Sequence, residues 1–131
     1  MNRPINIRKA IRSFRYAGMG IYGLFRHENN ARIHLIACIL VVIAGIFFNI
    51  SPTEWCLIVI QIGLVWSAEA INTAIEKLAD VVSPDYHIAI KDVKDVAAAG
   101  VLILAISAVV VGSIIFIPKV TELLIGQSHL Y

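Results

Sequence analysis

Three stretches without Asp, Glu, Lys or Arg constrain this chain more than any other feature: residues 33–53, 55–68 and 96–118. The first and third each reach the ~20-residue length of a bilayer-crossing helix. The middle one is too short alone, so a second span has to run on through Glu69. With 59% hydrophobic and 15% charged residues, and a mean hydropathy of +0.81, the 131-residue chain is too apolar for an ordinary soluble domain. The expectation is a single-domain, all-α membrane protein over residues 1–131. An amphipathic surface helix within 1–30 should precede transmembrane helices at about 33–50, 55–81 and 96–117.

Charge sets the orientation. Seven of the eleven basic residues (Arg3, Arg8, Lys9, Arg12, Arg15, Arg26 and Arg32) precede the first span, and the connection "NISPTEW" has none. The positive-inside rule puts the N-terminus in the cytoplasm, the connection 77–95 on the same side, and Tyr131 on the far side of the inner (cytoplasmic) membrane. No cleavable leader is visible before the first span, which is expected to act as the insertion signal. Cys38 and Cys56 both fall in apolar segments, where packing is their expected role. Nothing in the polar sequence calls for a nucleic-acid partner.

Ahead of the first span, Ile7, Ile11, Phe14, Gly18, Ile21 and Phe25 recur at spacings of four and three, with Arg8, Lys9, Arg12 and Arg15 mostly elsewhere. This is the pattern of a basic amphipathic helix on the cytoplasmic leaflet. Gly18, Gly20 and Gly23 should mark a bend or a close backbone approach. Asn49 and Pro52 supply a short turn, with Trp55 at interface level, so spans one and two should form an antiparallel hairpin. Ser83, Pro84 and Asp85 should stop the second helix and let helix restart after them. Small residues in the third span, including Ala97, Gly100, Ala105 and Gly112, permit close helix contact. Three spans leave little room for a private polar cavity, so an oligomer is expected.

The stretch "WSAEAINTAIEKLAD" carries the chemistry. At 100° per residue, Glu69, Asn72, Glu76 and Asp80 share roughly an 80° arc, and they cover about 16 Å of helix with Glu69 deepest. An ionised carboxylate at that depth is expensive unless it is paired, metal-bound or solvated. Glu69 is placed to take a proton from a hydroxyl, and Glu76, nearer the cytosol, to hold a hard cation. Glu28 could supply a second carboxylate, and Lys94 with Asp95 an ammonium and another acid. A base, a metal site and a phosphate clamp at a membrane surface suit phosphoryl transfer to a lipid alcohol. Read blandly, Lys77 and its neighbours are a solvated helix end, and His34 is an interfacial residue. There is no GxxxxGK[ST] or kinase-type glycine loop, so any nucleotide site has another design.

The blocks "RHENNARIHL", "AEAINTAIEKLAD", "SPDYH" and "KDVKDVAAAGVL" resemble the small, three-span bacterial diacylglycerol kinase and undecaprenol kinase family, over about residues 13–119. The resemblance implies a homotrimer with cytoplasm-facing sites at subunit interfaces and Mg-ATP as phosphoryl donor. It implies that Glu69 is the general base with Asn72 positioning it, that Glu28 and Glu76 bind Mg²⁺, and that Lys94 meets the transferring phosphate. Tyr16, Asp80, Tyr86, His87 and Asp95 fall where the family contacts or frames the nucleotide. "HENNARIHL" and "IIFIPK" are closer to the undecaprenol kinase branch, whereas Ala31 departs from its aromatic. The expected function is thus an ATP-dependent kinase of undecaprenol or diacylglycerol. The rival reading is a cation- or proton-coupled transporter using Glu69 and Asp80 as relays, against which stand the missing inverted repeats.

Overall fold

The computed structural model describes residues 6–128, so Arg3 and Tyr131 lie outside the described residues. Four helices follow one another: α1 Ile7–His27, α2 Asn29–Phe47, α3 Pro52–Val82 and α4 Ile88–Ser128, with no strand among the described residues. The last three are long and apolar enough to cross a membrane.

Each boundary has a local cause. The Asn6 side chain accepts a hydrogen bond from the Lys9 backbone N–H at 3.0 Å and caps α1. Helix α1 ends where Glu28 turns extended, with its N–H on the Leu24 carbonyl. The Arg32 guanidinium then folds back to donate to the carbonyls of Phe25, at 2.9 Å, and Arg26. These are the carbonyls that a helix end leaves without partners. Asn49, at φ 49°, closes α2 in the left-handed conformation that asparagine tolerates, and the Ile50 N–H returns to the Gly45 carbonyl. Ser51 and Glu54 form a reciprocal capping box with Pro52 in the first turn of α3.

The α2–α3 turn is also a packing unit. Its buried residues Ile50 and Ile58 meet Ile115 of α4, surrounded by Val41, Phe48, Trp55, Val111 and Phe116. The Trp55 ring lies so close to Gly45 that an added Cβ there would stand 2.8 Å from a ring carbon. Helices α3 and α4 pack along much of their length, and α2 touches α3 less. Midway, the Gln61 amide donates to the Ser107 hydroxyl at 3.3 Å. At the turn end, Lys119 pairs with Glu54 at 3.2 Å. Most other large apolar side chains are exposed, among them Ile36, Leu40, Ile43, Leu102, Ile106 and Val109. Such a surface suits lipid or further protein as its solvent.

Two expectations are corrected. Helix α1 runs unbroken through Gly18, Gly20 and Gly23, and nothing lies within 4 Å of a Cβ added at any of them. These glycines mark neither a bend nor a close approach; Gly45 is the position where the backbone is closely approached. The third span, expected to end at about residue 117, lies within a longer helix that runs on through Pro118 to Ser128. The lost N–H is tolerated there as in other membrane helices, and the Thr121 hydroxyl donates to the Pro118 carbonyl at 2.7 Å. Helix α4 begins at Ile88, so helix restarts after Ser83, Pro84 and Asp85 as expected, and Lys91, Lys94 and Asp95 stand on it ahead of the expected span.

Candidate active site

Helix α3 carries its acidic face toward its C-terminal end, and packing buries the deep part of that face. Glu69 is 3% exposed and Asn72 6%. Asn72 Nδ2 donates to Glu76 Oε1 at 3.0 Å, which fixes one carboxylate oxygen of a half-buried residue. Glu69 Oε2 and Asn72 Oδ1 are buried with no hydrogen-bond partner. Two oxygens left in this state, side by side on one helix face, favour an incoming donor or cation.

The α1–α2 corner delivers Glu28 to the same region. Leu24 and Ala31 bury the corner, and the Phe25 ring stacks on Trp66 of α3 with centroids 4.5 Å apart. Glu28 thereby meets Lys77 across the gap at 3.5 Å. The charges that bear on the Glu69 carboxylate are those of His34, Glu76 and Glu28, so three acids from two parts of the chain share one electrostatic neighbourhood. At the open end, Lys94 of α4 pairs with Asp80 at 2.8 Å.

The structure therefore brings together Glu28, Glu69, Asn72, Glu76, Asp80 and Lys94. The other candidates lie apart. Asp95 is exposed and pairs with Lys91 at 2.6 Å, one helical turn back. Tyr86 is exposed; His87 starts α4, its Nδ1 accepting the Ala89 backbone N–H at 3.2 Å. Tyr16 is exposed on α1, beside a basic surface hollow lined by Arg8, Lys9 and Arg12.

Sequence reasoning missed three residues. Thr73 is buried beside Asn72, and its position four residues after Glu69 places it on the same face, a spacing that was available to read. Lys77 is an ion-pair partner rather than only a solvated helix end. Arg32 clamps the corner that carries Glu28. Only a tertiary structure reveals these last two contacts.

Beyond the acidic face, an apolar groove of about 560 Å³ lies between α2, α3 and α4, running from His34 and Trp66 to Phe116. Its lining, mostly Val, Ile, Ala, Phe and Trp, suits hydrocarbon. The donor set at the acidic face suits Mg²⁺, since it offers carboxylate and amide oxygens only. Among the described residues no three His, Cys, Asp or Glu side chains converge as a metal cage. One or two carboxylates completed by phosphate and water are the usual Mg²⁺ arrangement.

Comparison with known proteins identifies the family. The family model described as prokaryotic diacylglycerol kinase matches residues 15–116. The chain belongs to the prokaryotic diacylglycerol kinase family. It is similar to the undecaprenol kinase of Bacillus subtilis, with 36% identity over 86% of this chain and 92% of the relative. The diacylglycerol kinase of Synechocystis is 34% identical over 86% of this chain and 65% of that protein. For the diacylglycerol kinase of Escherichia coli the figures are 27%, 83% and 89%. This member of the family is a multi-pass membrane protein and a lipid kinase, with ATP as the donor that kinase chemistry implies. The transporter reading falls with that membership.

Proposed function

We propose that the protein transfers the γ-phosphate of Mg-ATP to the primary hydroxyl of undecaprenol, or of diacylglycerol as the second candidate, at the cytoplasmic face of the inner membrane. The observation that carries the reading is the buried, unpartnered oxygen of Glu69 beside Asn72 and Glu76 on the acidic face of α3. Similarity to the Bacillus subtilis undecaprenol kinase over most of both chains supports taking undecaprenol as the first candidate.

In this reading Glu69 accepts the hydroxyl proton as the lipid oxygen attacks the γ-phosphorus and the bond to the ADP oxygen breaks. Asn72 orients the site through its bond to Glu76. Glu28 and Glu76 would hold Mg²⁺, which offsets triphosphate charge when bound. Lys94, partly exposed on its bridge to Asp80, is placed to turn toward a phosphate oxygen as a point charge. Asp80, on its bridge to Lys94, would frame the nucleotide; Tyr16, Tyr86, His87 and Asp95, which stand apart from the acidic face in the single chain, would close around it only when it binds. The apolar groove gives the lipid chain a place to lie.

The exposed apolar faces of α2 and α4 support assembly as a homotrimer with sites shared between subunits. The basic residues ahead of α2 support a cytoplasmic N-terminus. Purified protein given labelled ATP, Mg²⁺ and either lipid tests the whole reading. Labelled undecaprenyl phosphate, lost in Glu69→Gln, is the expected result; no labelled product from either lipid removes it. Crosslinking in native membranes should trap trimers, and a fully active monomer would exclude shared sites.

A further inference from the structure

Glu28 is held in place from three sides. The Arg32 guanidinium ties down the end of α1, the Phe25 ring rests on Trp66, and Lys77 reaches over from α3 to the carboxylate itself. Lys77 directly follows Glu76, so the helix that offers one proposed metal ligand also offers an ammonium to the other. The neighbouring lysines of α4 are engaged elsewhere, Lys94 with Asp80 and Lys91 with Asp95. The carboxylates of Glu28 and Glu76 both bear on that of Glu69, with His34 beside them. Like charges so gathered repel unless a cation stands among them.

We infer that Lys77 is a placeholder cation: it holds Glu28 while the site is empty, yields that carboxylate to a divalent ion, and then contacts the phosphates of the nucleotide. The inference rests on the proposed metal role of Glu28 and Glu76. The contact is built to be given up. Lys77 is 59% exposed against 26% for Glu28, the 3.5 Å separation is long, and pairs so exposed are held weakly. A divalent ion brings twice the charge and accepts the carboxylate oxygen as a direct ligand. Once displaced, the ammonium stays near on its flexible four-carbon stem. It has donors and no acceptor, so the anion it meets next is the triphosphate that arrives with the metal. Lys77 would therefore weaken metal binding to the empty protein and strengthen nucleotide binding to the metal-loaded one.

Mn²⁺ titration followed by electron paramagnetic resonance, on detergent-solubilised full-length protein without lipid, separates these effects. Lys77→Gln should tighten Mn²⁺ binding by about twofold to fivefold, the range that an exposed ion pair allows. In a Glu28→Gln background the same substitution should change nothing, because the carboxylate it guards is gone. With Mn²⁺ saturating, ADP binding measured by calorimetry should weaken in Lys77→Gln and recover in Lys77→Arg. Unchanged or weaker Mn²⁺ binding in Lys77→Gln overturns the inference, as does an equal effect in the Glu28→Gln background. If Glu28→Gln itself binds Mn²⁺ like the parent protein, the metal assignment falls and Lys77's role falls with it. If the titrations follow expectation while no lipid is phosphorylated, the kinase reading of the site fails and the role of Lys77 stands.

Discussion

Replacing Glu69 by Gln separates catalysis from folding because of where the residue sits. Gln keeps the length and shape of Glu at a site only 3% exposed, but its amide cannot accept the proton. No Lys or Arg forms an ion pair with Glu69 among the described residues, so the substitution strands no cation. The charges around it are of both signs, Glu76 and Glu28 on one side and His34 on the other. With shape kept and no ion pair broken, the Glu69→Gln protein should unfold close to the parent. The rate should nevertheless fall about 10²- to 10⁴-fold, the usual loss when a general base is removed. That corresponds to about 2.7–5.4 kcal/mol of activation free energy. Initial rates with saturating lipid and Mg-ATP, read beside a melting curve and an ADP titration, measure all three quantities. A folded variant within tenfold of the parent rate would refute the base assignment. Lost ADP binding would move Glu69 into the metal site instead.

Glu28→Gln and Glu76→Gln should each raise the Mg²⁺ concentration for half-maximal rate about tenfold or more, with excess Mg²⁺ restoring part of the activity; superimposable Mg²⁺ curves in both variants would remove the pair from the metal site. Gly45→Ala should destabilise the α2–α3 turn by about 1–3 kcal/mol, since the new methyl would stand 2.8 Å and 2.9 Å from two Trp55 ring carbons and 3.1 Å from Ile50 Cδ1. Unfolding in a denaturing detergent should show the loss, and Gly45→Ala with Trp55→Leu should recover part of it.

The acidic face of α3 was legible because helical period alone decides which residues share a face. Glu69, Asn72 and Glu76 needed nothing beyond their spacing. The capping box at Ser51 and Glu54 is equally local, and the turn at Asn49 and Pro52 was read from residue type. Glu28 could be proposed from its chemistry, but its meeting with Lys77 depends on Arg32 and Phe25 closing the α1–α2 corner, which no periodicity encodes. The restart of helix after Ser83, Pro84 and Asp85 was legible from turn chemistry, and Lys91 and Asp95 stand at the spacing that supports it. The far end of α4 was not, because the span was bounded by the charge-free run that stops at Lys119, whereas a helix can continue past the bilayer into a charged flank. The glycines of α1 misled because small residues permit contact without requiring it.

Helix α4 carries Lys94 at the acidic site and Lys119 at the opposite pairing with Glu54 on a single uninterrupted element. The two lysines are about 38 Å apart along it, somewhat more than the hydrocarbon thickness of a typical bilayer. No loop separates them to absorb a displacement. Tilting this rod to suit a thicker or thinner membrane would swing both ends together, so the Lys94–Asp80 and Lys119–Glu54 bridges share one lever arm.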